Sequence, residues 1–298
     1  MSESPSDTPS HVVWHEEPGV TAPILVIALE GLFDIAGAAT DAVDHLAGTA
    51  ASKRKIASID PEVFFDFTQQ RPVVSLGANG TRTLTWPEND AYEITISGEA
   101  PDIVVVSGIE PHLRWRTFSE AVGEIASRCG ARLVVTLGAM AGLAPHTRTL
   151  GVVGSASDAA LATRLGLGRP SYEGPTGLVG ALHVRLHELG LAVISLRVSV
   201  PHYITQAPNA EATRSLLARF ELVTGVETGH HSFDEAAADW RSRVDAAVAS
   251  DDDMKRYVTQ LEAQVDSTPD LLPDGDALAA ELQAWLRDND GDDDTDHP

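Results

Sequence analysis

The chain has 298 residues, 43% of them hydrophobic, which is enough for one large globular domain with a substantial core or for a domain with an appendage. Its net charge is −23, but residues 53–228 carry only −1 of it, so the acidic excess lies at the two ends. Phosphate-backbone binding needs clustered Lys and Arg, and the one basic run is 53–55. Nucleic acid is therefore not an expected partner.

The sequence also lacks the signals of secretion and membrane insertion. The first twenty residues contain no Lys, no Arg and no apolar run, so no secretory signal is predicted. No stretch approaches the roughly 20 apolar residues that span a bilayer, so we expect no membrane partner. Cys129 is the single cysteine and lies on the apolar face of a predicted helix, which indicates a buried thiol. These features favour a cytoplasmic protein.

Apolar runs alternate with turn and capping signals through the first three quarters of the chain, as they do in α/β domains. The predicted strands are Ile24–Leu29, Lys55–Ile59, Arg71–Leu76, Arg82–Trp86, a strand through Tyr92, Ile94 and Ile96, Ile103–Val106, Leu133–Leu137, Leu150–Val153 and Leu191–Val200. Asn79-Gly80 predicts a hairpin, so the segment around it is an antiparallel excursion between parallel strands. Asp34, Thr117 and Asn209 are positioned to cap three of the intervening helices.

The predicted fold class is α/β, with three layers: a mostly parallel mixed sheet flanked by helices, followed by an all-α extension. The expected divisions are a disordered acidic N-terminus at 1–17, the α/β domain at 18–228, the helical extension at 229–287 and a disordered acidic tail at 288–298. The extension carries apolar stripes through Trp240, Tyr257 and Trp285, and each stripe must be covered by another surface.

Polar and aromatic side chains follow each predicted parallel strand. These are Glu30 and Asp34, then Glu110, His112, Arg114 and Trp115, then His146 and Arg148, and finally His202 and Tyr203. Because the carboxyl ends of parallel strands share one edge of a sheet, we expect these loops to form a common rim. Glu, His and Arg together on a rim can perform acid–base chemistry or bind an anion. Equally, they can hold the loops in place or line a subunit interface.

Specific catalytic and metal signatures are missing. Gly154 to Asp158 lacks the second glycine of a G-x-S-x-G elbow, and no G-x-G-x-x-G fingerprint follows the first strand. His183 and His187 have the i, i+4 spacing of a metal pair, but they fit surface histidines better. We therefore expect no metal and no cofactor, and an enzyme is the less favoured reading.

Several of these loops together resemble the proteasome-assembly-chaperone-two family, in its bacterial, actinobacterial-type branch. The resemblance covers about residues 20–265 in the same order. It is carried by LVIALEGLFDIAGAA at 25–39, GIEPHLRWRTF at 108–118, PHTR at 145–148, YEGPTG at 172–177 and VPHY at 200–203. The resemblance implies a fold like that of purine nucleoside phosphorylases and peptidyl hydrolases, with a C-terminal helical extension, and homo-oligomers, for which a trimer is the working guess.

The resemblance implies a non-enzymatic, chaperone-like scaffold that binds other proteins, with proteasome subunits among the expected partners. Some relatives dock through a C-terminal hydrophobic–tyrosine–any-residue tail. This chain ends in Asp296, His297 and Pro298, so that mode of docking is not expected.

The alternative is a small-molecule-binding protein or a hydrolase- or phosphorylase-like enzyme that uses the rim. Glu30 or Glu110 would then be the base, His112 and His146 the proton carriers, and Arg114 and Arg148 the anion clamps. The remaining ligand-binding candidates are Asp34, Trp115, Tyr172, Thr176, His202 and Tyr203.

Overall fold

The computed structural model describes residues 10–96, 101–170 and 172–267. Its main feature is an eight-stranded mixed sheet with the strand order β1-β3-β6-β7-β2-β8-β10-β9. The strands of this sheet are β1 (Val12–Trp14), β2 (Ile24–Glu30), β3 (Ser52–Ile59), β6 (Asn89–Thr95), β7 (Ile103–Ile109), β8 (Leu133–Gly142), β9 (Val152–Ala156) and β10 (Val193–Pro201). A separate hairpin is formed by β4 (Val73–Leu76) and β5 (Arg82–Thr85).

The four central strands β7, β2, β8 and β10 are parallel, and the strands outside them are antiparallel. Their sequences are rich in Val, Ile, Leu and Ala, which suits strands that are buried on both faces of the sheet. Along β2 the side chains alternate, so that Leu25 and Ile27 enter one core and Ile24 and Val26 enter the other. The predicted α/β class and the parallel arrangement are confirmed.

Helices cover both faces of the sheet. The helices are α1 (Ala38–Thr49), α2 (Trp115–Arg128), α3 (Ala159–Arg164), α4 (Leu178–Glu188), α5 (Ala210–Thr224), α6 (Asp234–Val248) and α7 (Asp252–Asp266), with short 3₁₀ turns at Ile35–Gly37, Pro61–Val63 and His230–Phe233. One core contains α1 and α5, and the other contains α2 and α4. The structure therefore has the predicted three layers.

The C-terminal helices form a further layer over α5. Ala237, Trp240 and Val244 of α6 are buried, as are Val258 and Leu261 of α7. The two helices pack on each other, and α6 packs on α5, so the predicted stripes through Trp240 and Tyr257 are covered from within the chain. The stripe predicted at Trp285 and the tail at 288–298 lie outside the described residues.

Two local predictions are wrong. The segment 1–17 was expected to be disordered, but Val12–Trp14 forms the edge strand β1, which pairs with β3 and buries Val12 in the core. Residues 1–9 of that segment lie outside the described residues. Helix α2 begins at Trp115, and its N-cap is Arg114 in the left-handed conformation without a side-chain cap, so Thr117 is not a cap. The cap predicted at Asn209 is present, since its side chain accepts the backbone N–H of Ala212. The N-cap residue of α1 is Gly37, but the Asp34 carboxylate reaches over the intervening 3₁₀ turn and accepts the backbone N–H groups of Ala39 and Thr40 in the first turn of α1.

Candidate functional site

The carboxyl ends of β7, β2, β8 and β10 meet at one edge of the sheet, as their parallel pairing requires. We call this edge the rim. Its loops fall into two groups. The closed half comprises 143–148 and 202–203, after β8 and β10, and the open half comprises 31–34 and 110–114, after β2 and β7.

His146 is the centre of the closed half and is only 1% exposed. Its Nδ1 lies 2.7 Å from the hydroxyl of Tyr203, and its Nε2 lies 3.0 Å from a carboxylate oxygen of Asp245 on α6. The backbone N–H of His146 also donates to the Tyr203 hydroxyl. All donors are satisfied if Tyr203 donates to Nδ1 and Nε2–H donates to Asp245. The predicted proton carrier is thus enclosed between its own loops and α6.

Arg148 and Thr147 attach the same loop to α7. The Arg148 guanidinium donates to both carboxylate oxygens of Asp266, at 2.9 and 2.8 Å, and to Glu262 at 3.2 Å. The Thr147 hydroxyl donates to the same Glu262 carboxylate. Hydrogen bonding to Arg148 lowers the pKa of Asp266, which keeps that carboxylate charged and paired. The predicted anion clamp therefore holds two carboxylates of its own chain.

An aromatic contact completes the closed half. His202 Nε2 and the hydroxyl of Tyr257 on α7 form a hydrogen bond of 3.2 Å. The two rings pack edge to face, with their centroids 5.5 Å apart. Tyr203 meets both rings edge to face. Burial raises the pKa of Tyr203, so its hydroxyl stays protonated and available as a donor.

In the open half, the carboxylates of Asp34 and Glu110 have structural contacts. Asp34 is 7% exposed and accepts bonds from the backbone of Ala39 and the hydroxyl of Thr40, so it holds the first turn of α1. Burial raises the pKa of Asp34, and these hydrogen bonds oppose the rise. Glu110 accepts the backbone N–H of Leu32 at 2.9 Å and thereby ties the β7 loop to the β2 loop.

His112 is held by the segment that precedes the hairpin. Its Nδ1 accepts the backbone N–H of Asp66 at 3.3 Å, and its ring meets Phe65 edge to face. Side-chain bonds from Gln69 and Thr68 lower the pKa of Asp66 to about 2, so this turn keeps its charge over the physiological range.

A shallow cleft of about 650 Å³ opens at the start of α2, lined by 112–117. Arg114 and Arg116 are exposed beside it, and the Trp115 indole donates to the carbonyl of Pro111. A separate cavity of about 10 Å³ between Phe33, Glu110 and Thr136 has room for about one water molecule. The open half thus offers cationic side chains at a surface cleft.

The remaining candidates lie at the surface. The Glu30 side chain is exposed, and its carbonyl accepts the backbone N–H of Glu110. Tyr172 is 73% exposed and donates to the carbonyl of Pro175. Thr176 is exposed and packs on Gly180, where an added Cβ would lie 2.0 Å from its hydroxyl oxygen.

The rim therefore brings the predicted residues after the four parallel strands to one edge. Those of the closed half bond to each other and to α6 and α7, whereas those of the open half make separate local hydrogen bonds. The residues that sequence reasoning missed are the partners of the closed half: Asp245, Tyr257, Glu262 and Asp266. Glu262 and Asp266 are spaced i, i+4 on α7, a signal for one acidic helix face that could have been matched to Arg148.

Two further findings bear on function. In the parts of the chain that the structure describes, no group of three or more His, Cys, Asp or Glu side chains is placed to hold a metal ion. Among the same residues, no helix has the length and hydropathy needed to cross a membrane.

Comparison with solved structures finds close matches in actinobacteria. A PAC2 family protein from Streptomyces avermitilis is 40% identical, with a TM-score of 0.74, and the match covers 79% of this chain and 99% of that one. A Mycobacterium tuberculosis proteasome-assembly chaperone homologue is 35% identical, with a TM-score of 0.72 and the same coverage. A second M. tuberculosis protein, of unknown function, is 25% identical, with a TM-score of 0.75, over 97% of this chain and 95% of that one.

A comparison with proteins of curated function gives no significant match. The family model described as the PAC2 family matches residues 28–248, which include the whole rim and helix α6. That match agrees with the loop sequences and with the structural likeness to actinobacterial PAC2 proteins. The chain belongs to the PAC2 family.

Proposed function

We propose that this protein is a non-enzymatic, homo-oligomeric, chaperone-like scaffold that binds proteasome subunits in the cytoplasm. The observation that carries the proposal is the closed half of the rim. Three of its side chains bond to α6 or α7 of the same chain: His146 to Asp245, Arg148 to Asp266 and His202 to Tyr257. Tyr203 bonds to His146, so the strongest acid–base candidates have structural partners within the chain. The M. tuberculosis proteasome-assembly chaperone homologue, at 35% identity, supports the choice of partner.

The β4–β5 hairpin supports the homo-oligomer. Every residue of both strands is exposed, including Val73 at 61%, Leu76 at 72% and Leu84 at 49%. An isolated two-stranded hairpin with apolar side chains open to water is marginally stable, so a covering surface is expected. A second copy of the chain can supply such a surface. We take three as the number of subunits in the oligomer.

Light scattering on the purified protein tests the oligomer. At micromolar concentration we expect a mass of two or more chains, reduced to one chain in the double variant Leu76→Asp, Leu84→Asp. Both side chains are exposed, so the changes should leave the subunit folded. The matched control is Val184→Asp, at a 61% exposed position of α4, which should keep the oligomer. A monomeric wild-type protein would remove this part of the proposal.

Co-expression with the proteasome α and β subunits of the same organism tests the partner. We expect the tagged protein to co-purify with one of the two subunit types, and to do so less well as the hairpin variant. Equal recovery of the subunits with Val184→Asp and wild type would complete the control. No enrichment over an untagged strain would contradict binding to proteasome subunits.

The cleft at the start of α2 favours a second candidate function, binding of a small anionic molecule. Arg114 and Arg116 flank the first backbone N–H groups of α2, and helix N-termini attract negative charge. In this reading Glu110 and His112 are the nearest acid–base groups. A thermal-shift screen of phosphate, nucleosides and amino acids tests it, and a hit must be lost in Arg114→Ala. Stabilisation that persists in that variant would exclude this cleft.

A further inference from the structure

Helix α7 is attached to the rest of the molecule mainly through polar side chains. Of its 15 residues, only Val258 and Leu261 are buried, and neither belongs to the two cores that cover the faces of the sheet. A linker of three residues, 249–251, connects it to α6. Helix α6, by contrast, buries Trp240 and Val244 and packs on α5. Apolar packing therefore holds α7 less firmly than it holds α6.

The polar contacts of α7 are made to the closed half of the rim, and the α7 carboxylates are the acceptors. Arg148 donates to both carboxylate oxygens of Asp266, at 2.9 and 2.8 Å, and to Glu262 at 3.2 Å. The Thr147 hydroxyl also donates to Glu262. The side chains of Arg148 and Asp266 are 38% and 55% exposed. Ion pairs as exposed as this one contribute little to stability, because water competes for both charges.

Helix α7 leaves part of this surface uncovered. Leu143, in the same loop as Thr147 and Arg148, is 60% exposed, and Met140 near the end of β8 is 39% exposed. Methionine and arginine side chains are enriched where proteins bind one another. The rim loops also lie inside the region 28–248 that the family model matches, whereas α7 lies outside it. The rim therefore offers apolar contacts that α7 does not use.

We propose that Thr147, Arg148 and His202 form a docking surface for an acidic helix of a partner protein, with α7 as its resident competitor. We call this surface the acidic-helix dock. Its donors and the carboxylates of α7 are complementary in charge and in hydrogen bonding, and a partner helix is recognised by the same chemistry. The dock shares no residue with the β4–β5 hairpin, so the proposal stands whether or not the hairpin forms the oligomer.

The contacts of α7 define what a partner helix must present. Glu262 and Asp266 are four residues apart, so both carboxylates lie on one face of the helix. Tyr257 precedes them and hydrogen-bonds to His202 at 3.2 Å. A partner helix therefore needs two acidic residues in i, i+4 spacing and an aromatic hydroxyl about one and a half turns before them. An apolar side chain that also covers Leu143 would favour the partner over α7.

Peptide binding to full-length variants tests the dock. The probe is a fluorescent peptide of residues 251–267, and its binding is followed by anisotropy. In the wild-type chain the tethered α7 competes at a roughly millimolar effective concentration, so we expect weak binding. In the double variant Glu262→Gln, Asp266→Asn this competitor is weakened, and the peptide should bind about ten-fold more tightly. Adding Arg148→Met to the double variant should abolish that gain, because the peptide carboxylates lose their donor.

The matched control Glu235→Gln, Asp239→Asn removes two exposed carboxylates of the same spacing from α6 and should bind the peptide as the wild type does. No binding to the Glu262, Asp266 double variant at millimolar peptide would overturn the proposal. Binding that survives Arg148→Met, or the same two changes made in the peptide, would overturn it as well. If the double variant does not fold, Asp266→Asn alone provides the comparison. Displacement of the peptide by micromolar wild-type protein would assign the dock to α7 of a second copy and contradict a separate partner.

Discussion

The two halves of the rim contain similar residues in different surroundings. Each consists of loops that follow parallel strands, and each contains a histidine and an arginine. In the closed half, His146 and Arg148 bond to α6 and α7, and the histidine is 1% exposed. In the open half, His112 is partly exposed and Arg114 is exposed beside a surface cleft.

The difference teaches that residue types on a shared rim do not by themselves define an active site. Whether these side chains are available to a ligand depends on whether another helix covers the ends of the strands. Helices α6 and α7 cover β8 and β10, so the polar groups there become a docking surface for the chain's own C-terminal helices. The loops after β2 and β7 remain open to solvent or to a partner.

Removing His146 should have the largest effect on this contrast. His146→Ala leaves the Tyr203 hydroxyl without its acceptor and one oxygen of Asp245 without its donor, and it opens a cavity. We therefore expect the free energy of unfolding to fall by about 3 kcal/mol. Urea unfolding measures the loss. The control Asp245→Asn keeps an acceptor for the imidazole and should cost far less. If His146→Ala were as stable as wild type, the closed half would not depend on this network.

His183, a histidine that lies outside both halves of the rim, should make the stability of the folded protein depend on pH. Burial lowers the pKa of His183 to about 4, with Arg197 contributing, and the ring bonds to Thr136 at 2.7 Å. The unfolded chain takes up this proton near pH 6.5 and the folded chain only near pH 4. Stability is therefore complete above pH 6.5 and falls by roughly 2 kcal/mol between pH 6.5 and 4.5.

His183→Gln retains a hydrogen-bonding group without the titration, so unfolding at a series of pH values should show a flatter profile for this variant. NMR titration of the His183 ring provides the independent reading of its pKa. A wild-type profile as flat as that of His183→Gln would contradict the assignment.

The smallest expected effect is in the open half, where the backbone of Arg114 has a strained conformation. Arg114 has a φ of 53°, in the left-handed region, and caps α2 without a side-chain bond. Glycine adopts this conformation without steric cost, so Arg114→Gly should stabilise the protein by about 0.5–1 kcal/mol. Arg116→Gly, inside the helix, is the control and should destabilise it. A loss of stability in Arg114→Gly would indicate that the arginine makes a stabilising contact.

The fold was predictable where one strand or turn carries its own signal. The parallel strands are continuous apolar runs, Asn79-Gly80 marks the hairpin, and Asn209 caps α5 through its own side chain. The short edge strand Val12–Trp14 was not predictable, because three residues are too few for a periodic pattern and its contacts are with distant parts of the chain. It pairs with β3, Val12 is buried in the core, and the Trp14 indole donates to Glu124 of α2.

The location of the site was predictable from the sequence, but the hydrogen-bond partners of its residues were not. The chain order of the strands places His146 and His202 at one edge, which the sequence pattern indicates. The partners of His146 lie 57 and 99 residues away, in Tyr203 and Asp245, and no periodicity relates them. Helix α2 begins two residues before its apparent capping box, because Arg114 takes a left-handed conformation that propensity does not favour.

Hydrogen exchange of the intact protein tests most directly whether α6 and α7 close the β8–β10 side of the rim. The amides of Tyr257–Asp266, which contact His202 and Arg148, should exchange slowly in the wild type and much faster in His146→Ala. Exchange in the wild type as fast as in an unstructured peptide would mean that the rim is uncovered in solution, and would return His146 and Arg148 to the list of catalytic candidates.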